Sequence, residues 1–190
     1  NGFGSTTADV TVSVAAVATH PVISEFVADN ESGLTDGDGD ISDWIEIFNP
    51  TGSPVELAAY FLTDDATDLT KWFFPAYLLA PGERVIVFAS GKGDTGPVGQ
   101  LHTNFKLRAG GEYLALVAPG GTNILHEFSP SYPAQSPDGA YGIIAGDLSA
   151  ARFLGSPTPG LLNDTSPPLP IGVIFDTPSQ TFTGTLNVNL

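Results

Sequence analysis

Residues 43–51 read DWIEIFNPT. In an extended chain Trp44, Glu46 and Phe48 share one side, Ile45 and Ile47 take the other, and Asn49-Pro50-Thr51-Gly52 ends the run in a turn. Similar short runs lie on both sides of it. Val22–Ala28, Val55–Leu57, Tyr60–Leu62, Lys71–Phe74 and Arg84–Ala89 read as strands, the last introduced by Pro81-Gly82. Glu112–Ala118 and Asn123–Phe128 face each other across Pro119-Gly120-Gly121-Thr122 as a hairpin, and Tyr141–Ile144 and Arg152–Leu154 complete the set. No repeat of 20–50 residues is present. The pattern predicts an all-β chain folded as a two-sheet sandwich.

Composition supports this reading. The 190 residues contain 22 Gly and 16 Pro, so long helices are excluded. A hydrophobic content of 42% against 14% charged residues is too apolar for a disordered chain, yet no run reaches bilayer length. Six Lys and Arg against 21 Asp and Glu give a net charge of −15, which disfavours nucleic acid and anionic membranes and favours cations. With no Cys, the chain has no disulfides, thiolate metal sites or cysteine chemistry. With no Met at all, it is expected to be a processed product or an excised piece.

Four segments are expected. Residues 1–19 carry an alternating strand at 8–18, residues 20–164 form the sandwich, and 165–170 (TSPPLP) are a Pro-rich linker. Residues 171–190 hold two further strands near 172–175 and 181–190. The terminal strands are either cut ends of neighbouring domains or strands donated to other copies of the chain.

Several strings occur in an order that resembles the lamin-tail domain, most closely its bacterial branch, over Pro21 to Asn163. They are ISEF (23–26), DWIEIFNPT (43–51), YFLTDD (60–65), LTKWFFP (69–75), PGERVIVFASGK (81–92), HTNFKL (102–107) and GGEYLALV (110–117). The closing FDTPSQTFTGTLNVNL resembles the start of a chitobiase-type C-terminal β-module. The resemblance implies an immunoglobulin-like β-sandwich with additional terminal strands, doing structural or binding work without catalytic residues. It also implies that the residues at Glu46 and Asn49 bond to loop backbone. The DNA and chromatin partners of the nuclear members do not suit a chain at −15.

The strongest chemical signal is the acidic loop. Residues 29–46 contain Asp29, Glu31, Asp36, Asp38, Asp40, Asp43 and Glu46 and no Lys or Arg, so some positive charge must offset them. Asp36-Gly37-Asp38-Gly39-Asp40, with Asp43 beyond it, offers the oxygen ligands that Ca²⁺ takes. The EF-hand pattern is not met, because Ile41 stands where its glycine should be. A calcium site at Asp36, Asp38, Asp40 and Asp43 and a solvated acidic turn both remain open. Asp64, Asp65 and Asp68 read as turn-making residues. His20, His102 and His126 share no motif, so neither zinc nor a nucleophile–base pair is indicated. Trp44 and Trp72 are assigned to the core, with Ile45, Ile47, Phe61, Phe74, Val85, Val87, Leu114 and Leu116.

The expected function is a non-enzymatic structural or adhesive module of a bacterial surface or secreted protein, supported by calcium. Its partners would be other protein domains or copies of itself. A filament joined by terminal strand exchange and a carbohydrate-targeting module beside an enzyme are the alternatives.

Overall fold

Arg84–Ala89 (RVIVFA) and Asp43–Phe48 (DWIEIF) are rich in β-branched and aromatic residues, and each becomes a six-residue strand in the middle of a sheet. The computed structural model describes residues 19–163 apart from 94, 95, 97, 98, 145 and 146, and only the backbone of 147–149. The strands expected at 8–18, 172–175 and 181–190 and the linker 165–170 lie outside the described residues.

In chain order the strands are β1 (Val22–Val27), β2 (Asp43–Phe48), β3 (Val55–Glu56), β4 (Phe61–Thr63), β5 (Trp72–Phe73) and β6 (Leu78–Leu79). They are followed by β7 (Arg84–Ala89), β8 (Leu101–His102), β9 (Leu114–Val117), β10 (Ile124–Phe128), β11 (Tyr141–Ile144) and β12 (Asp147–Phe153). A six-stranded sheet runs β12-β11-β1-β2-β7-β8, a four-stranded sheet β10-β9-β4-β5, and β3 pairs with β6. β7 and β8 are parallel, and the other pairs antiparallel. The expected all-β sandwich is present, and so is the β9–β10 hairpin. The two-residue strands β6 and β8 are additions, too short to show a period of two.

The core follows from strand parity. Ile45 and Ile47 of β2, Val85 and Val87 of β7, and Leu114 and Leu116 of β9 lie in one cluster between the sheets with Trp72 and Phe74. Burying each contributes about 1.5–3 kcal/mol. Trp44 is buried as expected, in a second core cluster on the opposite side of β2 with Val27, Phe88, Ala140 and Leu154. One core assignment needs correction. Phe61 is half-buried on the outer face of the smaller sheet, against Tyr113, Ala115 and Val117.

One irregularity positions the candidate site. Ile23 opposes Ile47 but Glu25 opposes Glu46, so Ser24 is an extra residue in β1. This bulge lets Ile23 and Phe26 both reach the core, three residues apart, and leaves Glu25 beside Glu46 on the outer face. On the next strand Gly142 opposes Glu25, and a Cβ there would collide with Ser24 O, which is why the position takes no side chain.

Candidate functional site

The acidic loop is a closed structure. Thr35 bridges Ile41, Asp36 N–H donates to Asp40 O (3.0 Å), and Gly39 takes a positive φ of 85° at the bend. Asp36 points inward, its Oδ1 accepting from the N–H groups of Asp38 and Asp40 at 3.0 Å each. Carboxylate oxygens of Asp36, Asp38 and Asp40 converge to within 4.8 Å of one another. Asp43 is not in that group, because its Oδ1 accepts from Asn30 N–H (3.0 Å) at the root of the loop. Burial pushes the Asp43 carboxyl up.

The positive charge that the loop requires comes from 52 residues beyond its tip. Lys92 Nζ pairs with Asp36, with Asp38 at 3.2 Å and with Asp40 at 2.8 Å. Its ammonium holds the Asp36 carboxyl below the usual range, and the three carboxylates raise the Lys92 pKa. Three acids against one ammonium still leave the tip net negative.

A buried pair delivers Lys92. Ser90 Oγ accepts the Lys92 N–H (3.1 Å) and is hydrogen-bonded to His102 Nδ1 at 2.9 Å. His102 belongs to β8 and stacks on Phe88 with ring centroids 5.2 Å apart. Burial lowers its pKa. The sequence did not point to this nucleophile–base juxtaposition. Both groups are buried, and the bond closes the turn that aims Lys92 at the acids.

The second constellation lies on the outer face of the six-stranded sheet. Glu25 and Glu46 are fully buried cross-strand neighbours. Glu25 accepts from Thr158 N–H and Thr158 Oγ1, both at 2.8 Å. Glu46 accepts from Gly160 N–H (2.7 Å) and Ser24 Oγ (2.5 Å), and its Oε1 lies 3.2 Å from Arg84 Nε. Asn163 Nδ2 donates to Ser24 O (2.8 Å) and Ile143 O (2.6 Å). Residues 154–163 are thereby strapped across the sheet. Burial raises both carboxyls, Glu25 to about 7 with the Glu46 charge adding to its rise, while the hydrogen bonds each accepts and the Arg84 charge oppose it.

The remaining polar residues hold turns. Asn49 Nδ2 donates to Ser53 O, Leu79 O and Ala80 O at 2.9, 3.0 and 3.1 Å, and its Oδ1 accepts from Thr51. Asn49→Ala is expected to lower stability by about 2 kcal/mol, read from the urea midpoint, because buried carbonyls lose their donor. Asp65 and Asp68 accept from Thr67 and Thr70 and make turns as the sequence indicates, whereas Asp64 instead pairs with Lys71 at 2.5 Å. Asp138, which the sequence did not single out, accepts from the N–H groups of Glu31 and Ser32 (2.8 and 2.9 Å) and pins the start of the acidic loop.

Comparison with known families places residues 15–129 in a match to a family model described as Lamin Tail Domain. No curated protein and no solved structure matches the chain. The matched stretch ends before β11, β12 and the strap, although β11 pairs directly with β1. The match does not reach residues 175–190, where the chitobiase-type resemblance lies.

Proposed function

We propose that this chain, which belongs to the lamin tail domain family, is a non-enzymatic structural and protein-interaction module. One observation carries the reading: the buried carboxylates hold the chain's own backbone. Glu25 and Glu46 accept from N–H groups of the 154–163 segment, and Asp36 from those of its own loop, an arrangement that rigidifies a scaffold and engages these three buried carboxylates internally. Both Trp residues are buried, which disfavours the carbohydrate-targeting alternative.

The setting we propose is extracellular, on a bacterial surface or in a secreted protein, where net negative charge and divalent ions coexist. A filament is the second reading, supported by the open outer edges of β5, β10 and β12 among the described residues. The test is recovery of a stable partner complex from the native secreted fraction, undisturbed by Glu46→Gln. Turnover of a substrate that Glu46→Gln or Ser90→Ala abolishes in a folded protein would contradict the proposal.

Calcium enters the proposal as a competitor of Lys92. Asp36, Asp38 and Asp40 converge around one ammonium, and a divalent ion would take its place among the same oxygens. The wild-type chain is expected to melt several degrees higher in calcium than in chelator, and Lys92→Gln to widen the gap. Identical melting curves for both proteins would remove calcium from the account.

A further inference from the structure

A groove opens at the edge of the six-stranded sheet. It is lined by Leu34, Tyr77, Ile86, Phe88, Gln100 and Leu101, among others, and holds about 620 Å³ of space open to solvent. The edge strand β8 pairs only with Val87 and Phe88. The Arg84–Ile86 half of β7 therefore has no strand beside it on that side, among the described residues, and the groove lies along this half. An unpaired strand edge with an apolar trough beside it is the form that takes up an extended peptide as an added strand.

Charge states which peptide. At one end, Gln100 Oε1 accepts Gly37 N–H (2.7 Å), which fixes the acidic tip against the groove wall. Asp38 and Asp40 are more than half exposed there, at 57% and 63%, and Lys92 neutralises only part of the tip. Tyr77, which lines the groove, donates its OH to Glu83 Oε1 (3.1 Å), so a further carboxylate lies next to a lining residue. Apolar side chains in the trough and carboxylates at its rim match a partner that alternates apolar and cationic residues.

We propose that this groove binds an extended protein segment carrying Lys or Arg beside apolar side chains, which adds as a strand to the open half of β7. The proposal rests on the protein-interaction reading and names one surface for it.

The test uses the full chain and a fluorescein-labelled heptapeptide alternating valine and lysine, with valine–glutamate and glycine–lysine heptapeptides as controls. Anisotropy is expected to show saturable one-to-one binding of the valine–lysine peptide alone. Affinity should fall by about tenfold or more in Ile86→Lys, and by a smaller factor in Asp38→Asn/Asp40→Asn. Should Ile86→Lys fail to fold, amide shift changes in the wild-type chain decide, and they are expected at Ile86 and Gln100. Equal binding of the glycine–lysine peptide, binding of the valine–glutamate peptide, or no saturable binding would each overturn the proposal. Shifts centred on the exposed Phe73 and Leu78 would also overturn it while leaving an interaction module standing.

Discussion

Replacing Glu46 by alanine is expected to lower the unfolding free energy by about 3–5 kcal/mol. Glu46 has no exposed surface, accepts from the Ser24 hydroxyl and the Gly160 N–H, and forms an ion pair with the Arg84 guanidinium. Alanine leaves Arg84 half-covered against the Phe48 ring without its counter-charge, and the Gly160 N–H without an acceptor inside the strap. Glu46→Gln keeps one acceptor oxygen and loses the charge, so its cost should lie well below that of alanine. Urea unfolding with an unchanged m-value reads both. A loss under about 1 kcal/mol for alanine would mean that the strap is held by something other than this carboxylate.

Raising the pH from 5 to 8 is expected to destabilise the chain through Glu25, by an amount on the order of 3 kcal/mol. Burial raises this carboxyl from 4.5 to about 7, with the Glu46 charge adding to the rise, so the folded state holds the proton more tightly than the unfolded chain. The contribution is fully present below the unfolded value and is lost as pH rises through about 7. His126 acts in the opposite sense, because burial lowers it to about 4 and its contribution is lost on acidification from 6.5 downward. The two are separated by taking the stability difference between the wild type and Glu25→Gln at each pH. That difference should favour the wild type at pH 5 and shrink or reverse by pH 8. A difference independent of pH would show that Glu25 is ionised throughout.

Much of this could be read from residues 43–51. The parity of DWIEIF places Ile45 and Ile47 in the core and Glu46 on the face shared with Trp44 and Phe48, as the structure has it. The backbone bonds that the family resemblance implies for Glu46 and Asn49 are also made. Asp36, Asp38 and Asp40 converge because their alternation with Gly is a local property of the chain. What stayed hidden is non-local. Lys92 reaches the acids from another strand's end, and Thr158, Gly160 and Asn163 return to the sheet from over a hundred residues beyond Ser24. Loop closure at such separations leaves no period in the sequence. Glu25 did leave a signal: it is the one charge in the apolar run VISEFVA, and such a charge must find partners once buried. The bulge at Ser24, which turns it toward Glu46, is set by the pairing and has no residue signature of its own.

Ser90, His102 and Lys92 form a chain that ends on the acidic loop, so a hydroxyl and an imidazole that could serve catalysis elsewhere here fix the position of an ammonium. The same loop, tied to Gln100, forms one rim of the groove at β7. Stiffness at this rim lowers the ordering cost of binding a partner there.

Amide hydrogen exchange at Thr158 and Gly160 tests the central claim most directly. If the buried glutamates hold residues 154–163 on the sheet, both amides will exchange as slowly as those of β2, and will open at close to the global unfolding free energy. Exchange of both amides at the rate of an unstructured peptide, in a chain whose β2 amides are protected, would contradict it.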